Sequence, residues 1–182
     1  MKKVIFISSN EGKLKYLKKY FNLPLENLKL DIPEIQSFNL KKIAENKART
    51  AYAQIKKPVL VEDVSLEFKA LANLPGPFIK WFLKSLGNDG LCRLLDGYKD
   101  RSAVAEVVFA FCDKSGVKFF SGRIEGEIAK TPKGKNGFGW DLIFIPKNYR
   151  KTWAEMTDDE KHETSMRKTA LKKIKKYFSS LK

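Results

Sequence analysis

The sequence has few residues that could build a redox, thiolate-metal or histidine-based site. Its 182 residues include two cysteines, Cys92 and Cys112, which form no C-x-x-C pair, and a single histidine, His162. This scarcity argues against a disulfide framework, a structural zinc site and a histidine-dependent triad, and it favours a reducing compartment. The apolar run after Lys3 stops after four residues, which is too short for a membrane span or a signal-peptide core. We therefore expect a soluble, cytoplasmic protein without a membrane partner.

Negative charge is also scarce. Asp and Glu number 21 against 36 Lys and Arg, which gives a formal net charge of +15 at pH 7. Such an excess is typical of a nucleic-acid surface, a membrane surface or a site for polyanionic small molecules, and charge alone does not decide among them. Hydrophobic residues make up 43% of the chain, enough for a buried core and too many for a disordered protein.

The order of the hydrophobic patterns predicts an α/β fold. An apolar run at residues 4–8, a polar turn and the helical spacing of Leu14, Leu17 and Phe21 predict a strand, a turn and a helix. Further strands are predicted at 28–32, 59–61, 103–112, 117–128 and 142–145, and further helices at 40–55, 77–95 and 165–181. Early alternation of strand and helix followed by long strands is typical of a mixed sheet with flanking helices. With no linker or repeat in view, we expect a single domain over residues 1–182.

Hydrogen-bond donors are concentrated in the turn after the first predicted strand. Ser8, Asn10 and Lys13 lie there, and such side chains, with the amides of a helix N-terminus, suit phosphate oxygens. The segment is not a Walker A loop, because Leu14 follows Lys13 and the earlier glycine is missing. Taken alone, it equally predicts an ordinary cap, with Asn10 or Ser9 binding the first helical amides.

Carboxylates follow two of the predicted strands. Glu62 and Asp63 come directly after the run 59–61, and Glu34 follows Pro33 near the second predicted strand. Open α/β sheets bind ligands beyond the carboxyl ends of their strands. Carboxylate oxygens from separate strands suit Mg²⁺, which keeps water and phosphate at its remaining positions. The alternative is that these acids are solvated loop residues.

Two later segments also combine chemistry-bearing residues. In Gly137-Phe138-Gly139-Trp140-Asp141 the aromatics could stack on a base while the glycines let the backbone reach its edge; alternatively, both aromatics belong to the core. In residues 160–167, Lys161 and Arg167 could contact an anion or a purine edge. The alternative there is a capping box with a solvated face.

Taken together, five segments resemble the inosine triphosphate pyrophosphatase family. They are Ser8-x-Asn10-x-x-Lys13, Val61-Glu62-Asp63, Leu74-Pro75-Gly76-Pro77-Phe78-Ile79-Lys80-Trp81-Phe82, Gly137-Phe138-Gly139-Trp140-Asp141, and Ala154-Glu155-Met156 with Lys161, Ser165 and Arg167 at the spacing of the family. The resemblance spans roughly residues 4–178. Members of this family hydrolyse non-standard purine nucleoside triphosphates such as ITP, dITP and XTP to the monophosphate and pyrophosphate with Mg²⁺, typically as homodimers.

The resemblance implies a fold and a role for individual residues. The fold would be an elongated, two-lobed α/β protein around a long central mixed sheet, with the nucleotide in a cleft between the lobes. Glu34 and Asp63 would bind the metal, and Asp63 would also be the general base for water attack on the α-phosphorus. The substrate would be held by Ser8, Ser9, Asn10, Glu11, Gly12, Lys13 and Lys47 at the triphosphate, by Lys80, and by Phe138, Gly139, Trp140, Asp141, Lys161 and Arg167 at the base.

Three positions depart from the family pattern. Met166 stands where the family usually has a histidine that helps recognise a 6-keto purine, and a thioether is no comparable donor; His162 is a candidate substitute. Val64 replaces a hydroxyl residue, with Ser65 one position later, and Leu142 replaces a proline. Two other functions stay open: a basic nucleic-acid-binding protein, which the net charge of +15 and the basic tail 168–182 suggest, and a nucleotide-binding member with relaxed or lost turnover, which Met166 and Val64 suggest. We expect no specific nucleic acid among its partners.

Overall fold

The computed structural model describes residues 4–21 and 24–180, and it has the predicted α/β architecture. The strands are β1 (Val4–Ile7), β2 (Leu25–Leu28), β3 (Val59–Phe68), β4 (Pro75–Gly76), β5 (Ser102–Asp113), β6 (Gly116–Ile128) and β7 (Phe144–Pro146). The helices are α1 (Glu11–Tyr20), α2 (Leu40–Ile55), α3 (Ile79–Arg93), α4 (Asp158–Glu163) and α5 (Met166–Ser179), with short 3-10 turns at Lys69–Leu71 and Trp153–Glu155.

The strands form one mixed, seven-stranded sheet. Its order is β2-β1-β3-β5-β6-β7, and β4 pairs with β3 off this path. Strand β1 is parallel to both β2 and β3, whereas β4 is antiparallel to β3 and β7 is antiparallel to β6. The mixed sheet predicted from the sequence is therefore confirmed.

The chain divides into two compact units. Unit 1 comprises Met1–Asp63, Val108–Ser121 and Ala170–Lys182, and unit 2 comprises Val64–Val107 and Gly122–Thr169.

None of the helices within residues 4–21 and 24–180 has the length and hydrophobicity of a membrane span. The expectation that residues 1–182 act as a single domain stays a prediction.

In unit 1, helices cover both faces of the sheet. Helix α2 buries Leu40, Ala44, Ala48 and Ala51 in a cluster with alternate residues of β1, β3 and β5. On the opposite face Phe111 packs edge-on against Phe178 of α5, with ring centroids 5.0 Å apart. The face changes because successive strand residues point to opposite sides, so that Ala110 and Cys112 belong to the α2 cluster while Phe111 does not.

In unit 2, three aromatic side chains pack together around the loop 131–143. Trp140, Phe144 and Trp153 lie with ring centroids 4.5–5.8 Å apart. Helix α3 lies in the same unit and is interrupted at Gly87, whose φ of 66° and ψ of −179° are not helical. The predicted helix at 77–95 therefore exists as two shorter helical segments.

Several predicted boundaries were wrong. Strand β2 covers Leu25–Leu28 rather than 28–32, because its parallel pairing with β1 ends at Ile7 and Leu28. Ile32 belongs to the cluster that α2 forms with the sheet, and Leu30 packs against that cluster; both lie in a loop. Strand β7 begins at Phe144 rather than at residue 142, because the Ile143 amide donates to the Trp140 carbonyl in a turn.

The largest difference concerns β3. The sequence predicts a strand that ends at Val61, whereas β3 continues to Phe68 because Leu66 and Glu67 pair with β4. Glu62 and Asp63 are thus interior residues of a strand. Since β1 ends at Ile7 and pairs with β3 only at Val59 and Leu60, both acids still lie beyond the carboxyl end of the neighbouring parallel strand.

Candidate functional site

The predicted site residues fall into both units, and each unit holds one charged cluster. The lysine–carboxylate cluster of unit 1 comprises Lys13, Glu34, Lys47, Glu62 and Asp63. The aromatic–cation cluster of unit 2 comprises Phe138, Asp141, Trp153, Lys161 and Arg167.

The turn before α1 is a helix cap, as the simpler interpretation predicted. Asn10 Oδ1 accepts a hydrogen bond of 3.0 Å from the Lys13 amide, and Ser8 Oγ accepts one of 3.1 Å from the Asn10 amide. Ser9 and Glu11 are exposed and Gly12 is half-buried. This geometry fixes the backbone of the turn, while its binding of phosphate stays a prediction.

Lys13 reaches from this turn to the middle of β3. Its Nζ donates to the Glu62 carbonyl at 3.1 Å and lies 3.4 Å from Glu62 Oε1. The Glu62 side chain is fully buried, and that of Lys13 is 13% exposed. Burial of the carboxylate is tolerated because an ammonium lies against it.

Lys47 of α2 contacts the two carboxylates predicted to hold the metal. Its Nζ is 2.7 Å from Glu34 Oε1 and 3.5 Å from Asp63 Oδ2. Lys47 lies one helical turn after Ile43 and Ala44, which are buried against the sheet, and it therefore faces the same way. The structure thus brings Glu34, Lys47 and Asp63 together from three separate parts of the sequence.

Strand alternation explains why adjacent acids contact different lysines. Val61 belongs to the α2 cluster, so Asp63, two residues later, shares its face and contacts Lys47 of α2. Glu62 points to the other face, where it contacts Lys13 of α1. Two neighbouring carboxylates therefore act in two different ion pairs.

Burial dominates the electrostatics of Asp63. Burial raises the pKa of this carboxyl above its usual range; Lys47 and Lys13 oppose the rise, and Glu34 and Glu62 add to it. For Lys47, burial lowers the pKa, but the attraction of Asp63 and Glu34 outweighs it, so that the pKa is raised. Lys47 is thus held in its charged form beside a carboxyl whose ionised form is costly.

A divalent cation fits one feature of this cluster. Asp63 Oδ2 is buried and accepts no hydrogen bond from the residues that the structure describes, and the two lysines and three carboxylates carry a formal charge of −1 when all are ionised. Among the described residues no group of three or more Asp, Glu, His or Cys is arranged to hold a metal. An ion bound by Glu34 and Asp63 would therefore need further ligands from water and substrate, which Mg²⁺ accepts.

In unit 2, Asp141 organises the glycine loop. Its Oδ2 accepts a 2.6 Å hydrogen bond from the Phe138 amide and forms a buried ion pair with Lys161. Gly137 has a φ of +80°, and a Cβ at this position would collide with the Asp141 carboxylate. Glycine is therefore required at 137 for the loop to close on Asp141.

The Phe138 ring lies against two cations. Lys161 Nζ is 4.8 Å and Arg167 Cζ is 5.4 Å from its centroid, and Lys161 is also 6.0 Å from the Trp153 ring. Burial lowers the pKa of Lys161, Asp141 opposes this effect, and Arg167 adds to it. Both cations are nearly inaccessible, at 5% and 3% exposure, so their contact with a base stays a prediction.

The remaining predicted positions are less closely connected to these clusters. Trp140 is buried among aromatics, as the alternative interpretation predicted, and Gly139 accepts a 3.1 Å hydrogen bond from Asn88. Lys80 is exposed in the first turn of α3, with its Nζ 5.2 Å from the Trp81 centroid. The capping box of α4 is formed by Glu160 and by Thr157, which precedes the segment 160–167. The solvated face of the alternative interpretation was wrong, because Lys161 and Arg167 are buried.

The departures from the family pattern are also placed by the structure. Met166 is fully buried, and its Sδ lies 3.8 Å from Ser165 Oγ. Ser65 is buried as well, and its Oγ forms no hydrogen bond in the described part of the chain. Trp153 was not predicted to belong to the site. Its Nε1 donates to Thr164 Oγ1 at 2.9 Å, and the sequence contains no pattern that predicts this contact.

Comparison with known proteins gives matches along nearly the whole chain. Residues 4–177 match the model of the Ham1 family. The chain is 45% identical over 180 residues to inosine triphosphate pyrophosphatase 2 of Trypanosoma cruzi (strain CL Brener), covering 97% of this chain and 92% of that protein. It is 41% identical over 181 residues to inosine triphosphate pyrophosphatase of Yarrowia lipolytica (strain CLIB 122 / E 150), covering 97% and 95%.

Solved structures give the same picture. A HAM1 protein from Coxiella burnetii superimposes with a TM-score of 0.86 at 28% identity, covering 99% of this chain and 100% of that one. The nucleoside-triphosphatase / dITP/XTP pyrophosphatase from Mycobacterium abscessus ATCC 19977 / DSM 44196 gives a TM-score of 0.74 at 28% identity, covering 95% and 98%.

The Asp141–Lys161 pair allows a test of the glycine loop. Asp141→Asn leaves Lys161 buried without its carboxylate, and we expect the free energy of unfolding to fall by about 3 kcal/mol, as for other broken buried pairs. Urea denaturation measures this loss. Glu125→Gln, which breaks the exposed Lys147–Glu125 pair of the same unit, is the control and should leave stability nearly unchanged. Equal losses of stability in both variants would contradict the role of the Asp141–Lys161 pair in stabilising the glycine loop.

Proposed function

The chain belongs to the Ham1 family, and from this premise we propose that it hydrolyses non-standard purine nucleoside triphosphates such as ITP, dITP and XTP to the monophosphate and pyrophosphate. The names of its relatives support the substrate class. The observation that carries the proposal is the ion-pair geometry of Lys47 with Glu34 and Asp63. This geometry combines a cation for the triphosphate, Lys47, with a half-buried carboxylate for proton transfer, Asp63.

In this reaction Asp63 is the general base. It accepts a proton from a water whose oxygen forms the new bond to the α-phosphorus, while the bond from that phosphorus to the bridging oxygen breaks and its electron pair leaves with pyrophosphate. A raised pKa makes Asp63 a stronger base than an exposed aspartate. Lys13 and Lys47 stabilise the negative charge on the triphosphate and on the leaving group.

We assign Mg²⁺ to Glu34 and Asp63. Such an ion would neutralise phosphate charge and polarise the bond that breaks. The five side chains of the lysine–carboxylate cluster carry a net formal charge of −1 and would repel the triphosphate. A bound divalent cation would make the net charge positive, which supports this assignment.

The purine is assigned to unit 2. Phe138, whose ring centroid lies 4.8 Å from Lys161 Nζ and 5.4 Å from Arg167 Cζ, is proposed to supply an aromatic face, and Gly139, Trp140 and Asp141 to shape the loop. Lys161, Arg167 and Lys80 are proposed to contact the nucleotide, and residues 8–13 to bind its phosphates. A homodimer in the cytoplasm is proposed from the resemblance to the family.

Asp63→Asn tests the proposed base. We expect pyrophosphate release from ITP to fall at least about 1,000-fold, because an amide cannot accept the proton. The fold should persist, because a raised pKa means that stability from Asp63 is present below its ordinary pKa and lost as pH rises, and because Lys47 keeps Glu34 as a partner at 2.7 Å. Thermal melting in EDTA at pH 8 should give a midpoint no lower than the wild type. Full activity of the variant would exclude Asp63 as the base.

Base selectivity tests the consequence of Met166. Its buried thioether provides no donor for a 6-keto group, so we expect the kcat/KM for ITP to exceed that for ATP by less than about tenfold, which corresponds to roughly 1.4 kcal/mol. Pyrophosphate release with ITP, XTP, GTP and ATP measures the ratio. A much larger preference for ITP would mean that other residues supply the discrimination.

The charge is unevenly divided between the units, and this favours electrostatic steering. Unit 1 contains 20 Lys and Arg against 8 Asp and Glu, a net +12, whereas unit 2 contains 16 against 13, a net +3. The unit that carries Lys13 and Lys47 thus holds most of the positive charge. A field of this sign concentrates anionic substrates near the surface and weakens with salt.

We therefore expect the kcat/KM for ITP to fall about tenfold or more between 50 and 500 mM salt, with little change in kcat. Lys15→Glu with Lys18→Glu, on the exposed side of α1 beside a shallow cavity of about 350 Å³, should reduce kcat/KM at low salt only. Lys147→Glu with Lys151→Glu, at two exposed lysines of unit 2, changes the charge by the same amount; this double variant is the matched control and should have less effect. Salt-independent kcat/KM together with tight binding of RNA or DNA at physiological salt would favour the nucleic-acid alternative instead.

A further inference from the structure

Glu62 is a buried acid for which the proposed reaction has no direct use. It is 2% exposed and its side chain is fully inaccessible. Glu34 and Asp63, in contrast, keep side-chain exposures of 32% and 16%. A carboxylate with no accessible surface is poorly placed to meet a substrate or a metal ion, so any role of Glu62 in turnover must pass through a neighbour.

One such neighbour is Lys13. The Glu62 carbonyl accepts a 3.1 Å hydrogen bond from Lys13 Nζ, and Glu62 Oε1 lies 3.4 Å from the same nitrogen. The Lys13 amide is bound to Asn10 Oδ1 at 3.0 Å. Lys13 is therefore fixed at both ends, by the helix cap at its backbone and by Glu62 at its ammonium.

Such fixing has a consequence for binding. A lysine side chain has four rotatable bonds, and ordering them when a ligand arrives reduces affinity. If Glu62 orders them beforehand, that cost is met on folding and the ligand binds a prepared ammonium. An ammonium has three donors, so Lys13 can retain the Glu62 carbonyl and still donate to a phosphate oxygen.

We propose that Glu62 is a positioning residue that holds the Lys13 ammonium ready for the triphosphate. The proposal rests on the proposed function of Lys13 as a phosphate ligand. It gives the two adjacent acids of β3 different roles: Asp63 acts on the water, and Glu62 contacts Lys13. The main effect expected of the Glu62–Lys13 contact is therefore on the binding of phosphate.

Kinetics of four variants test this role. Glu62→Gln should raise the KM for ITP about tenfold or more while kcat changes less than about threefold, and Glu62→Asp should restore part of the affinity. Lys13→Met should raise KM at least as much, and adding Glu62→Gln to it should have no further effect, because the partner is already lost. Glu45→Gln is the control: it removes the same charge from the exposed Arg49–Glu45 pair of unit 1 and should leave KM unchanged.

Calorimetry separates this proposal from the proposed function. Titration of inorganic triphosphate with Mg²⁺ requires no turnover, and Glu62→Gln should weaken its binding about tenfold relative to the wild type. A wild type that does not hydrolyse ITP would refute the proposed function while the titration still decides on Glu62. Unchanged KM and affinity in Glu62→Gln, or additive effects of Glu62→Gln and Lys13→Met, would overturn the positioning role. If thermal melting shows that Glu62→Gln is unfolded, the same comparisons with Glu62→Asp decide it.

Discussion

Pairing of buried and half-buried lysines with carboxylates is the constraint on which both clusters depend. An isolated charge in a protein interior is very costly, and removing one partner of a buried pair leaves the other uncompensated. Lys13 with Glu62, and Lys161 with Asp141, meet this requirement within units 1 and 2 respectively. Lys47 meets it by sharing Glu34 and Asp63. The chain can therefore hold ionisable groups at low exposure.

The backbone arranges these pairs with ordinary devices. Strand β3 extends past the end of β1, and its two-residue alternation sends Glu62 and Asp63 to opposite faces of the sheet. A helix lies on each face and supplies one lysine. In unit 2 a glycine with positive φ lets the loop close on Asp141, whose single oxygen binds both a backbone amide and Lys161. Lys13, Lys47, Glu62 and Asp63 are thus held by regular structure, whereas Glu34 and Asp141 lie in loops.

Long periodic segments were predicted well from the sequence. Helix α2 has the predicted bounds, and the hairpin of β5 and β6 differs by one residue at three of its four predicted ends. Strands β2, β3 and β7 were predicted with wrong limits, because their ends depend on where a partner strand ends. The break in α3 at Gly87 was not predicted either. The hydrophobic pattern of a segment predicts which of its residues are buried, but it does not predict the register in which two strands pair.

The same division holds for the site. The sequence by itself determined the types of residue present, the helix cap at Asn10 and the resemblance that singled out Glu34, Asp63 and Lys161, because caps and motifs are encoded over a few neighbouring residues. Only the tertiary structure decided that Glu62 contacts Lys13 across 49 positions of sequence and that Asp141 contacts Lys161 across 20. The reason is physical: an ion pair between distant segments forms where packing brings two side chains together, and no local pattern contains that distance.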